Sequence, residues 1–135
     1  MVPKFLIGLL IVGIVLVSGC TFKVTTFTIT DAKMATGMDE DGYPIGVATT
    51  FSVTEPEIHI WFSWAHAPSD TKVRAIFNYV PGNAKVEIPE ITLPTIDGTG
   101  SFHLKKPVGD RPAGEYRVDI YSDDKVVKSL SFSVE

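Results

Sequence analysis

The chain reads as an all-β protein: two antiparallel sheets packed into a β-sandwich of seven to eight short strands, behind a short signal-peptide helix. Three observations predict this. Apolar residues alternate with polar ones at period two in four separate segments. Turn-forming residues interrupt those segments every eight to twelve residues or so. Beyond the N-terminal segment, no window of useful length carries the period of an amphipathic helix. A single sheet would leave one apolar face uncovered, so two sheets must stack. A small closed barrel is the alternative.

The first strand is expected over Phe22 to Thr30, rich in threonine and β-branched residues, and a short one over Thr49 to Val53. Glu57 to Trp64 is the clearest segment. Ile58, Ile60, Phe62 and Trp64 share one face, and Glu57, His59, Trp61 and Ser63 share the other. In Lys72 to Tyr79 the apolar face is Val73, Ala75, Phe77 and Tyr79. Lys85 to Leu93 reads as two strand pieces broken at Pro89, because proline removes a ladder donor and suits an edge or a bulge. Phe102 and Leu104 mark one face of Ser101 to Leu104. Tyr116, Val118 and Ile120 do the same for Glu115 to Tyr121, and Leu130, Phe132 and Val134 for Val126 to Val134. Turns are expected at Pro68-Ser69-Asp70, Pro81-Gly82-Asn83, Asp97-Gly98, Pro107 to Gly114 and Ser122-Asp123-Asp124. One apolar and one polar face per strand is what an antiparallel sheet with one wet side requires.

The N-terminal segment has a different character. Met1 to Lys4 carry one positive charge, and Phe5 to Val17 are apolar apart from two glycines. Phe5 to Gly19 as a helix would span only about 22 Å, short of a hydrocarbon core of about 30 Å. That is the layout of a signal peptide. Leu16-Val17-Ser18-Gly19-Cys20 ends in the only cysteine of the chain, and it resembles the lipobox of prokaryotic lipoproteins. The resemblance implies cleavage between Gly19 and Cys20, a diacylglyceryl anchor on the Cys20 thiol, and an extracytoplasmic protein held on a membrane. Two acyl chains give the firm anchoring that one does not. The alternative is a retained N-terminal anchor with Cys20 an incidental thiol. Residues 1–19 are thus expected to be signal peptide, 20–24 a short tether, and 20–135 one domain.

Removing residues 1–19 leaves 116 of the 135, enough for a core without staples. The formal charge is −4 for the whole chain, and no basic run is present, which argues against a nucleic-acid partner. With one cysteine no internal disulfide is available.

Pro112-Ala113-Gly114-Glu115-Tyr116-Arg117-Val118 resembles the entry to strand F of immunoglobulin-like domains. The resemblance implies that Gly114 turns the chain and that the Tyr116 hydroxyl bonds back to the corner backbone. Val118 stands where many such domains carry a cysteine, and Pro112 where an aspartate is common. The tail from Gly114 to Val134 is similar to the last hairpin of prokaryotic extracellular Ig-like modules. An Ig-like fold hosts many unrelated functions.

Candidate sites are few. His59, His66 and His103 show no metal-ligand spacing, so no metal site and no cofactor are expected. Asp39 and Asp41 before Gly42 carry part of a calcium-loop pattern, but position 37 is glycine where a further ligand is needed. Trp61 and Tyr121 have the parity of a wet face, and with His59 they form a candidate partner surface. No serine lies in a nucleophile elbow and no catalytic residue is identified. The expectation is a lipid-anchored binding or scaffolding protein that contacts an envelope protein. The alternative is a surface module for polysaccharide or calcium, and the second alternative is an envelope hydrolase.

Overall fold

The computed structural model describes residues 26–135. The expected signal helix, the Gly19–Cys20 cleavage site, the lipidated Cys20 and the 20–24 tether lie outside the described residues. The described chain is all-β. Its strands are β1 (Thr28–Met38), β2 (Pro44–Val47), β3 (Thr50–Phe51), β4 (Glu57–Ala65), β5 (Lys72–Tyr79), β6 (Ala84–Thr92), β7 (Gly98–Lys105), β8 (Gly114–Ser122) and β9 (Lys125–Val134). They form two sheets, a four-stranded one in the order β2-β1-β4-β7 and a five-stranded one in the order β3-β9-β8-β5-β6. All pairings are antiparallel except the short parallel contact of β3 with β9.

Among the described residues nine strands stand where seven to eight were expected. The surplus comes from the N-terminal part. β1 runs on to Met38, and Pro44–Val47 returns beside it as a hairpin, with Ala35 opposite Val47 and Gly37 opposite Ile45. The acidic residues Asp39, Glu40 and Asp41 form the turn between the two strands. The Pro89 break is a bulge in one continuous strand: Val73 faces Ile91 and Ala75 faces Ile88, leaving Pro89 and Glu90 together opposite Arg74.

Period-two parity places the core correctly. Ile58, Ile60, Phe62 and Trp64 from β4 meet Val73, Ala75 and Phe77 from β5, and Val118 and Ile120 from β8. Aromatic rings fill the centre, with Phe62 stacked on Phe102 at 5.4 Å and Tyr116 stacked on Phe132 at 5.2 Å. Trp64 fits because Gly98 has no side chain: a Cβ there would lie 2.8 Å from its ring. The β8–β9 turn is closed by Asp123 and Asp124, both at positive φ (51° and 63°), the conformation that a two-residue hairpin with matching twist demands.

Two tyrosines hold the corner before β8. The Tyr116 hydroxyl donates to the Pro112 carbonyl at 2.6 Å, and the Tyr79 hydroxyl donates to the Ala113 carbonyl at 2.8 Å. Gly114 adopts φ 137°, and a Cβ on it would sit 3.2 Å from both Pro81 and Tyr79. Glycine is required there for conformation and for space.

Candidate functional site: the cleft between the sheet edges

β6 is the last strand of the five-stranded sheet, and β7 is the last strand of the other. The two edges do not pair. β6 lies against β5 in a register that puts Val86 opposite Phe77, Ile88 opposite Ala75 and Ile91 opposite Val73, so all three share the inward face. The bulge at Pro89 keeps Ile88 and Ile91 on that face together. Among the described residues, no strand stands beside β7 to cover them. Val86 is therefore 48 % exposed and Ile91 37 %, although both point the way of the core.

The result is a cleft of about 660 Å³ that opens between the sheets. Its walls are Val86, Ile88 and Ile91 from β6, Phe77 from β5, and Phe102 and Leu104 from β7. A site of this size suits a small organic ligand, for which concave apolar cavities of about 300–1,000 Å³ are usual. It is several times larger than a cavity of about 150 Å³, which is already enough for one benzene ring.

One end of the cleft is different. There Pro107, Pro112, Tyr79 and Tyr116 close the wall, and Arg111 joins them. Arg111 is 2 % exposed. Its backbone N–H donates to the Val53 carbonyl, and its guanidinium donates to the Glu55 carbonyl at 2.9 Å and the Leu104 carbonyl at 3.5 Å. Its Nε is buried with no hydrogen-bond partner. Burial pulls the guanidinium below its ordinary range, while Tyr116 and Glu55 push the other way. An arginine stays protonated in a protein even so. Among the described residues no carboxylate lies within ion-pair distance of it. Lys105 and His103 line the same cleft, and no aspartate or glutamate does.

The expected partner surface takes another form. His59, Trp61 and Tyr121 do not come together: His59 and Trp61 are on β4 of one sheet, and Tyr121 is on β8 of the other. Trp61 does lie on the outer face, but it is only 6 % exposed. Lys33 pairs with it in register, with its ammonium 5.8 Å from the ring, and Tyr43 from the turn between β1 and β2 packs 6.3 Å away. The β1–β2 hairpin covers the tryptophan, so the expectation of an exposed Trp61 is corrected. Tyr121 is half-buried, with the Arg74 guanidinium 4.6 Å over its ring.

His59 and His103 face each other across β4 and β7, ring centroids 5.5 Å apart, with Glu57 contacting both at 3.3 and 3.9 Å. Burial lowers the basicity of His59; Glu57 opposes that, and His103 adds to it. Among the described residues no group of three or more His, Cys, Asp and Glu is arranged to hold a metal ion. Asp39 is a turn carboxylate: its Oδ1 accepts the N–H groups of Asp41 and Tyr43, both at 2.9 Å. Asp41 lies in the same turn, between β1 and β2.

One polar cluster lies on the outer face of the five-stranded sheet. Asp119 accepts hydrogen bonds from Arg117, Ser129 and Asn78. Burial alone would raise its carboxyl, but these donors outweigh burial and hold it below the ordinary range.

No protein-family model matches the sequence, and no curated protein matches it. Solved structures share its fold. The chain is similar to part of the alkylpurine DNA glycosylase AlkC from Pseudomonas fluorescens, at 12 % identity and a TM-score of 0.56, over 81 % of this chain and 30 % of that one. It is also similar to part of a β-glucosidase from Kluyveromyces marxianus, at 19 % identity and a TM-score of 0.51, over 82 % of this chain and 14 % of that one. A Niemann-Pick type C2 protein from the Japanese carpenter ant aligns with 82 % of this chain and 92 % of its own length, at 12 % identity and a TM-score of 0.46. The chain spans less than a third of the first two proteins, and at these identities the likeness concerns the fold alone.

Proposed function

We propose that the chain is a binding module of the Ig-like β-sandwich type, tethered to a membrane through Cys20, and that it binds an apolar ligand in the cleft between β6 and β7. The observation that carries this reading is the uncovered inward face of β6. A soluble domain seldom leaves core-facing Val and Ile open to water unless something binds there.

The strand order supports the Ig-like assignment. β1, β4 and β7 stand as strands A, B and E, and β9, β8, β5 and β6 as G, F, C and C′. Strand D, which would flank E, has no counterpart among the described residues. Its place is where the cleft opens, so this variation of the fold provides the site. The tether agrees with that placement. β1 begins at Thr28, opposite Ala65 and so at the Gly98 end of β4 and β7. Arg111 contacts Glu55 and Leu104, at the opposite end. A tether at residues 20–24 would thus leave the chain nearer the Gly98 end than the Arg111 end of the cleft.

Contact with an envelope protein is the second reading, and the loop Pro107 to Ala113 favours it, being exposed apart from Arg111 at the end opposite Thr28. The cleft reading is tested by titrating the intact chain with Nile red, a neutral apolar dye. Saturable binding with a blue-shifted emission, abolished by Ile88→Trp, is expected. Absence of binding, or binding unaffected by Ile88→Trp, contradicts it.

A further inference from the structure

We infer that the ligand of the cleft is an anionic amphiphile: a single unbranched hydrocarbon chain lies along Val86, Ile88, Ile91 and Phe102, and its carboxylate or phosphate head meets Arg111. This deepens the cleft reading above and rests on it. An apolar cavity alone fixes no head group; the charges around it do. Of the charged residues that line it, only Arg111 is buried in its wall; His103 and Lys105 alternate with the inward Phe102 and Leu104 on β7, and the His103 ring stands against His59 and Glu57 on the outer face.

Arg111 is the centre of that arrangement. A buried guanidinium costs free energy unless it is paired and hydrogen-bonded. This one has carbonyl partners on one side only, keeps a buried Nε without a partner, and has no counter-ion within ion-pair distance among the described residues. A carboxylate or phosphate oxygen entering along the cleft would supply the missing charge and acceptor together, and arginine's planar fork is suited to both anions. Tyr116 and Pro112 close the wall behind Arg111, so the head group stays at this end and the hydrocarbon chain must run back along the β6 face.

The test compares three probes of equal chain length on the intact protein: decanoate, decyl phosphate and decanol, each by displacement of Nile red. At least one anion should bind about 10- to 100-fold more tightly than decanol, the range for a hydrogen bond to a charged group in a desolvated site. The tighter anion identifies the head group as carboxylate or phosphate. Arg111→Met should reduce the anions to the affinity of decanol and leave decanol unchanged, whereas Arg111→Lys should retain part of the preference. Equal binding of all three probes to the unaltered protein overturns the head-group assignment and leaves the apolar cleft standing. Failure of Nile red itself to bind removes both. If Arg111→Met does not fold, the three-probe comparison decides the matter alone. In either case Ile88→Trp must block every probe, and unchanged binding in that variant overturns the location.

Discussion

The corner before β8 offers a sharp test of how this fold is held together, through Tyr116→Phe. The substitution removes one oxygen and leaves the ring. Tyr116 is buried, its ring stacked 5.2 Å from Phe132 and tilted 5.0 Å from Tyr79, and a phenylalanine keeps both contacts. What disappears is the donation to the Pro112 carbonyl at 2.6 Å. The carbonyl then stands without that donor in a partly buried place, so the cost is that of an unsatisfied acceptor, about 1–2 kcal/mol. Removing an aromatic ring in the same cluster, as in Phe132→Ala, should cost about 3–5 kcal/mol. For a domain of this size, 1–2 kcal/mol lowers the melting temperature by about 5 to 10 °C. Urea denaturation followed by tryptophan fluorescence measures it, with the midpoint shifted and the slope unchanged. A loss below about 0.5 kcal/mol would refute the view that this hydroxyl ties the corner, and would leave Tyr79 to Ala113 as the effective link.

Gly98→Ala should destabilise the domain by about 1–3 kcal/mol, because the new methyl lies 2.8 Å from the Trp64 ring and 2.9 Å from Thr95 Oγ1; thermal denaturation checks it, and an unchanged midpoint contradicts the packing described. Burial holds the His59 basicity below its ordinary value, so the unfolded chain takes up the proton first and stability should fall as the pH drops below about 6.5. His59→Gln should flatten that part of a stability–pH curve, and a curve that keeps its slope contradicts it. Cys20→Ser should abolish incorporation of a labelled fatty acid and leave the precursor unprocessed; normal maturation of that variant would defeat the tether.

Strands that sequence could place are those whose two faces differ strongly. Lys72–Tyr79 has the predicted bounds, and Ile58, Ile60, Phe62 and Trp64 all lie in the core, because alternation of large apolar side chains with polar ones has only one way to sit on a half-wet sheet. β1 was harder to read. Its run Asp31-Ala32-Lys33-Met34-Ala35 carries small apolar residues on both parities, and a bulge between Ile29 and Asp31 shifts the register. Trp61 illustrates the limit of parity: the period puts it outside, correctly, but the hairpin that buries it is a tertiary event with no local signal. The cleft was hidden for a related reason. Val86, Ile88 and Ile91 look like ordinary core residues in sequence, and their exposure follows from which strand ends which sheet. Arg111 sits in a proline-rich loop whose composition suggests a solvated side chain, yet the backbone carbonyls of Glu55 and Leu104 draw it inside. The Pro89 bulge and the Gly114–Tyr116 corner were the two irregular features with a local signature, proline in a strand and glycine two residues before tyrosine.

The most direct measurement is an NMR titration of the isotope-labelled intact chain with decanoate. Saturable shifts should be confined to Val86, Ile88, Ile91, Phe102, Leu104 and the Arg111 side chain. Shifts centred on Trp61 or Tyr121, or none at saturating ligand, would contradict the assignment of the inter-sheet cleft as the binding site.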